Sequence, residues 1–548
     1  MAAATAVAVA LSSIGVALGA DWVPASDWAL IEASVRDVGT AHTPLVGFFS
    51  RYGWFHPGPW PLYVLAVPYR LFGASPQALL IAVGLVNTAA VVVCCRASWR
   101  IGGHRLLLVT SGALIALMAG MRVWLLVDPW NPWLGLLPFA ALVLCCWALA
   151  LGHRWYLPAV AALATFVVQC HVAFVVPAVA VVLAALVLCV RSGGGERWRP
   201  ALLAGAAVVV VGWAPVVVEQ VVADGGNLAA LGSFFVTASV EPTAGPVQGA
   251  RILATETSGW PPWLGRPEPT RFDGDPRIGD VPDLASPWAV AVPVALVAAT
   301  WYLARRRGAG WIATGAILAM VLLAGSWIGL ARLAGPQYYW LVRFTWVVGW
   351  FGVVVVAAFV VEVLVDTAWL RRRSPAGSRT RAALAAAAIV AVLLAGAVAV
   401  RTGADPVLPA QTLGLPVASL RPATLDWLRG HVPPGGAVAV EGRSDERYGA
   451  TQGLFNVLDA AGYDVSLRGE WAKQVREDRR NEAPVTLVVV SGDEVGSWRA
   501  RGIEEVAAFE PTGLGSALDL EPTVVFLDDG DAPAVDEAAS DSDEPTDG

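Results

Sequence analysis

Runs of roughly twenty apolar residues, broken by short polar stretches, fill the first 400 positions of the chain. The best windows are 1–20, 76–95, 106–127, 133–151, 157–169, 172–190, 201–222, 287–304, 310–331, 344–366 and 382–400. Nearly all of these eleven are long enough to cross a hydrocarbon core about 30 Å thick as helices that close their own backbone hydrogen bonds. The weakest is 157–169. At 1.5 Å per residue its thirteen residues span only about 20 Å, so 157–190 reads as a tilted or re-entrant hairpin. The window 1–20 has the length of a signal peptide but no basic n-region, and reads as a first span.

The pattern changes after Arg401. Helical periodicity at Pro422 to His431 and Tyr448 to Ala461 alternates with strand-like runs at Ala437 to Glu441, Val485 to Val490 and Thr523 to Leu527. That alternation predicts a small α/β domain with a partly parallel sheet. The expected fold is therefore an α-helical polytopic membrane domain of about eleven spans over 1–400, with outer loops 21–75 and 224–286. An α/β domain over 401–527 and an acidic disordered tail over 528–548 follow it.

Composition agrees with this class. Of 548 residues, 56% are hydrophobic and 15% charged, too few charges to cover a soluble protein of this size. The net charge of −7 is a property of the tail, where Asp528 to Gly548 hold nine acidic residues and no basic ones; without them the chain carries +2. Such a segment has too little apolar surface to offset its ordering entropy, and nothing in the charge balance calls for a nucleic acid. All six cysteines fall in or at the ends of apolar runs and read as small core residues, so no disulfide is needed.

Arginine placement orients the spans. Five short connections hold fifteen arginines: Arg96, Arg100 and Arg105; Arg154; Arg191, Arg197 and Arg199; Arg305 to Arg307; and Arg371, Arg372, Arg373, Arg379 and Arg381. By the positive-inside rule these face the cytoplasm. The loops 21–75 and 224–286, the tips at Asp128 to Pro132 and Gln169 to His171, and everything after Arg401 then lie outside the plasma membrane.

The chemistry-bearing residues gather on that outer side. The first loop contains Asp21, Asp27, Glu32, Arg36, Asp37, His42, Arg51 and His56. Asp27 reads either as a functional carboxylate or as the cap of a helix running to Val38, with Glu32 and Arg36 as an i,i+4 pair. RYGWFHPGPWPLY, from Arg51 to Tyr63, reads as a seat for an anionic headgroup or as an aromatic interface belt with a snorkelling arginine; its prolines preclude a regular helix through Pro57 to Pro61. DPWNPW puts Asp128 and Asn131 at a second tip, where a tight turn capped by Asp128 is the structural reading. Gln169 and His171 sit in an otherwise apolar hairpin, and a polar pair there is costly unless it is paired or faces a cavity. Glu219 and Gln220 end the seventh span, and Arg332, Gln337, Tyr338, Tyr339 and Arg343 lie between the ninth and tenth. Trp54, Trp60, Trp260 and Trp263 are candidates to stack on sugar rings, with interface anchoring the other reading for a chain of 25 tryptophans. No Gly-rich phosphate loop or metal-ligand spacing is found in the C-terminal domain, and no residue is assigned to a metal.

Over roughly 1–400 this arrangement resembles the GT-C superfamily of polytopic glycosyltransferases, in the branch of protein O-mannosyltransferases and lipid A aminoarabinose transferases. The resemblance rests on Asp27 and Glu32 with Asp37 nearby, on SRYGWFHPGP (Ser50 to Pro59), on DPWNP, on the QCH tip and on an exported C-terminal domain. The text SDWALIEASVRDVGT followed by SRYGWFHPGPWPLYVLAVPYRLFG is similar to actinobacterial members of that group. The adjacent Asp-Glu pair of the mannosyltransferases is absent, and the C-terminal domain matches no glycan-binding module.

The resemblance implies an inverting hexosyl or pentosyl transferase. It would take a sugar from a polyprenyl-phosphate donor held in membrane lipid and pass it to an envelope glycan, lipid or protein, with a divalent metal left open. It gives Asp27 the catalytic role, supported by Glu32 or Asp37, and the lipid phosphate to Arg51 and His56, joined by Arg343. Asp128, Asn131, Gln169, His171 and Glu219 are candidates for substrate contact. Two other classes share the basic outer surface: a transporter or flippase of lipid-linked glycans, which needs polar groups continuing through the membrane, and a noncatalytic envelope scaffold, which has no use for the first-loop carboxylates.

Overall fold

The computed structural model describes residues 2–192, 198–223, 225–236, 241–259, 261–264, 284–366, 412–443, 449–517 and 520–528. The predicted window 382–400, the acidic tail, Trp260 and the arginines from Arg371 to Arg381 lie outside them. The chain divides into two compact units, one of 1–20 and 35–406, the other of 21–34 and 407–548.

The first unit is helical. Its elements are α1 (Ala2–Leu18), α3 (Trp60–Leu71), α4 (Pro76–Leu125), α5 (Asn131–Leu134), α6 (Leu136–Ala150), α7 (Leu157–Cys170), α8 (Val175–Arg191), α9 (Arg199–Val222), α10 (Asn227–Val236), α11 (Gly245–Thr257), α12 (Ala291–Arg306), α13 (Gly310–Ala331) and α14 (Phe344–Asp366). Helix α2 (Ser26–Asp37) is shared between the units.

Among the described residues seven helical stretches are long and apolar enough to cross a membrane, against about eleven expected. The windows 1–20 and 157–169 correspond to α1 and α7, of 17 and 14 residues. The 50 residues of α4 are a hairpin and not a rod. Ser98 donates to Thr110 Oγ1 at 2.9 Å, and Asn87 Nδ2 to the Leu126 carbonyl at 2.9 Å. A straight helix would hold Ser98 and Thr110 about 18 Å apart. The chain reverses at Gly103, whose φ of +61° is open to glycine without the penalty a Cβ would bring, so the windows 76–95 and 106–127 are the two arms.

Helix α6 sits at the centre of the bundle, with every residue from Leu136 to Ala150 buried. Helices α9 and α12 lie at its rim and expose apolar side chains such as Leu203, Val210, Val221 and Leu296. In a lipid solvent that exposure carries no penalty. All six cysteines are buried and unbridged. At the arginine-rich end Arg105 pairs with Glu362 at 2.8 Å, tying the α4 turn to α14.

The second unit is a five-stranded sheet in the order β2-β1-β3-β5-β4. Its strands are β1 (Ala437–Gly442), β2 (Asp464–Arg468), β3 (Val485–Ser491), β4 (Glu505–Phe509) and β5 (Thr523–Leu527). β1 pairs parallel with β2 and β3, and β5 pairs antiparallel with β3 and β4, so the sheet is partly parallel as expected.

Period-two alternation splits the core between the two faces. Val438, Val440, Leu487 and Val489 pack under α15 (Leu415–His431) and α16 (Ala450–Ala460). Val488, Val490, Val524 and Phe526 pack under α17 (Glu494–Ala500) with Trp498. Ala25, Leu30 and Ala33, far away in sequence, join the first of these clusters. Their segment is held by Ser26 N–H donating to the Gly449 carbonyl at 3.0 Å and Asn456 Nδ2 donating to Glu32 Oε2 at 2.8 Å. A Cβ at Gly449 would fall 2.4 Å from the Ser26 backbone, so glycine permits that approach.

Candidate active site

In the first unit the segment 47–56 is an antiparallel ribbon and not an irregular coil. His56 N–H donates to the Phe48 carbonyl at 2.7 Å, Ser50 N–H to Trp54 at 2.8 Å and Gly53 N–H to Ser50 at 2.9 Å. Gly53, at φ +82°, supplies the left-handed residue that a three-residue hairpin loop requires. The turn thereby presents Arg51 and Tyr52. The prolines come next, and α3 begins at Trp60 with Pro61 in its first turn, where the missing N–H costs nothing.

Arg51 is exposed and sandwiched, its guanidinium carbon 4.7 Å from the Tyr52 ring centre and 4.6 Å from that of Tyr338. Its Nη2 donates to the Tyr52 hydroxyl at 2.7 Å and to the Pro336 carbonyl at 3.1 Å. The Tyr52 hydroxyl donates to the Ala334 carbonyl at 2.8 Å, and burial pushes its pKa up.

His56 and His171 stack with ring centres 4.4 Å apart. Val172 N–H donates to His56 Nδ1 at 3.2 Å and Ala173 N–H to His171 Nδ1 at 3.1 Å. A ring nitrogen that accepts carries no proton, so both imidazoles are neutral and bear their proton on Nε2. Electrostatics agree. Burial lowers His171 to about 3, with the Arg51 charge adding to it, and burial followed by the His171 neighbour lowers His56 well below the usual histidine range.

Amide and carboxylate side chains, all buried except the half-buried Glu219, brace this cluster. Gln169, fully buried, accepts Trp60 N–H at 2.9 Å and donates to the Gly212 carbonyl at 2.9 Å. Asn227 grips Phe55 from both sides, accepting its N–H and donating to its carbonyl, each at 2.8 Å. Glu219 accepts Asn227 N–H at 3.0 and 3.1 Å and so caps α10. Asp128 accepts Trp130 N–H at 2.9 Å, the turn expected of DPWNP, and Asn131 donates to the Cys170 carbonyl at 3.2 Å.

An aromatic series leads from Arg51 to Arg343. Tyr338 stacks on Trp340 at 4.4 Å, Trp340 meets Trp130 at 5.4 Å, Trp130 meets Trp133 at 6.4 Å, and Arg343 lies 5.7 Å from the Trp133 ring centre. Arg343 is buried beside Glu256, at 3.9 Å. Trp54 and Trp263 are 5% and 1% exposed, which removes them as platforms for a sugar.

The first-loop carboxylates separate. Asp27 and Glu32 belong to the second unit, where Asp27 is half-buried in the first turn of α2 and Glu32 is 1% exposed against Asn456. Asp37, half-buried, is in the first unit. Among the described residues no group of three or more His, Cys, Asp or Glu is placed to hold a metal ion.

No family model matches the chain, and no curated protein is similar to it in sequence. Solved structures do match over nearly the whole length. The crystal structure of ArnT from Cupriavidus metallidurans in the apo state has a TM-score of 0.55 and 14% identity, covering 96% of this chain and 97% of that one. The structure of the same protein bound to undecaprenyl phosphate gives 0.54 and 15%, covering 95% and 97%. The chain has the fold of these structures. Its apolar helices and this fold make it a multi-pass membrane protein.

Asn227 and Glu256, both buried, are not singled out by the sequence. The signal for Asn227 is a lone amide after Gly225 and Gly226 at the start of an apolar run; for Glu256 it is one carboxylate in an otherwise uncharged stretch after Arg251.

Proposed function

We propose that the chain is a membrane glycosyltransferase that moves a sugar from a polyprenyl-phosphate donor to a cell-envelope acceptor on the outer face of the membrane. The observation that carries this reading is the Arg51, His56 and His171 cluster, a fixed cation beside two neutral rings protonated on Nε2. Breaking the bond between the anomeric carbon and the phosphate oxygen leaves negative charge on the phosphate. Preorganised N–H donors and guanidinium groups stabilise such charge most where water is scarce. Arg51 and Arg343 supply charge, and the two Nε2–H groups supply donors that do not titrate near neutral pH.

Asp27 accepts the proton of the attacking acceptor hydroxyl in this reading. Glu32, buried and held by Asn456, anchors α2. Gln169, Asn131, Asp128 and Glu219 shape the surrounding loops, and a single displacement at the anomeric carbon inverts its configuration. The likeness to ArnT bound to undecaprenyl phosphate supports the choice of lipid carrier by analogy of fold. Purified protein in liposomes, given a radiolabelled polyprenyl-phosphate sugar and an envelope extract, tests the reading: label should pass to the extract, and label that stays on the lipid under all conditions refutes it.

A further inference from the structure

Glu256, in α11, is fully buried, and Arg343, at the start of α14, is 6% exposed. Both belong to the first unit. Glu256 Oε2 accepts the Trp346 indole N–H at 2.8 Å and lies 3.9 Å from Arg343 Nη1. That second distance is beyond hydrogen-bond reach, so across it carboxylate and guanidinium attract each other as charges. The guanidinium carbon is also 4.7 Å from the Trp346 ring centre and 5.1 Å from that of Tyr339. A buried guanidinium needs a counter-charge, and within this cage the carboxylate that supplies one is fixed by an indole.

We propose that Glu256 is an internal counter-ion of Arg343 and sets how tightly the site holds a lipid phosphate. The inference rests on the reading that Arg343 faces the donor phosphate. An arriving phosphate shares the guanidinium with a carboxylate that repels it, and that repulsion keeps the grip loose enough for the product, a polyprenyl phosphate, to leave. Glu256→Gln keeps the side-chain volume and the oxygen that accepts from Trp346 but removes the charge. The phosphate then meets the guanidinium without that repulsion and binds more tightly. One unit charge removed several ångström from the phosphate, at an effective dielectric of about 20, corresponds to binding tightened roughly tenfold or more. A purely structural role predicts the opposite sign, since a loosened cage presents Arg343 less well.

The test is binding of undecaprenyl phosphate to the full-length protein in detergent, measured by native mass spectrometry for wild type, Glu256→Gln, Glu256→Asp and Arg343→Met. Arg343→Met should weaken binding and Glu256→Gln should tighten it about tenfold. Glu256→Asp, which draws the carboxylate back by one methylene, should tighten it by less, and it decides the matter if the Gln variant does not fold. Weakened binding by Arg343→Met with unchanged or weaker binding by both Glu256 variants overturns the counter-ion role alone. No binding by wild type, or full binding by Arg343→Met, overturns the phosphate reading on which it rests.

Discussion

Asn227→Ala should loosen the hairpin that presents Arg51 while leaving the helical bundle folded. The Asn227 side chain satisfies both the N–H and the carbonyl of Phe55, each at 2.8 Å, and Asn227 is itself 7% exposed. Truncation leaves two backbone groups without those partners in half-buried surroundings. Each costs about 1–3 kcal/mol when unsatisfied, and entering water recovers part of that, so a local loss of about 2 kcal/mol is expected. That corresponds to a roughly 30-fold larger open population. Hydrogen exchange read by mass spectrometry on peptides spanning 47–56 should speed up by this order, whereas peptides from α6, every residue of which is buried, should not change. Asn227→Asp should be no milder, because it turns an oxygen toward the Phe55 carbonyl and sets a second carboxylate near Glu219. Unchanged exchange at 47–56 in Asn227→Ala would refute the claim that this amide holds the hairpin.

Arg51→Lys should weaken donor binding although the charge is kept, because an ammonium lacks the planar face that stacks between Tyr52 and Tyr338 and the paired donors that suit a phosphate; equal affinity in a lipid-binding assay contradicts this. Stability should fall as the medium is acidified below pH ~6.5, where the unfolded histidines take up protons. His171 in the folded chain resists protonation down to about 3, and His56 is lowered too. The stability is therefore present above the unfolded pKa and lost toward the folded one, and a His171→Gln variant should show a shallower fall of Tm between pH 6.5 and 4. Gly53→Ala should cost about 1 kcal/mol through its φ of +82°, seen as a lower Tm in detergent. Cysteine tagging in intact cells should label the C-terminal α/β domain from outside and Arg305→Cys only after permeabilisation; the reverse pattern overturns the orientation.

The bundle was readable because a lipid-crossing helix leaves about twenty apolar residues in a row, and the α4 reversal because Arg96, Arg100 and Arg105 interrupt one such run. The strands β2 and β4 lack such a signal: DVSLR and EVAAF are only five residues each, the first charged at both ends and the second at its start, too short to stand out from the surrounding polar sequence. Membership of 21–34 in the C-terminal unit depends on contacts such as Glu32 with Asn456, 424 positions apart, for which a local pattern has no signature. At the candidate site, Arg51 and His56 stand out as a basic pair in an aromatic stretch, and His171 as a costly polar group in an apolar hairpin. Gln169 was visible for the same reason, yet it fastens Trp60 and Gly212, because polarity in the sequence does not say whether a group meets a ligand or another strand of the same chain.

The account stands or falls on glycosyl transfer with Asp27 as the base. Wild type and Asp27→Asn, reconstituted in liposomes with a radiolabelled polyprenyl-phosphate sugar, should be compared for polyprenyl phosphate released per label transferred to an acceptor. The account predicts one lipid phosphate released for each sugar moved by wild type, and transfer slowed roughly 100-fold or more in Asp27→Asn, which keeps the size and capping ability of Asp but accepts no proton. Label that crosses the bilayer still attached to its lipid, or an Asp27→Asn variant as fast as wild type, would contradict it.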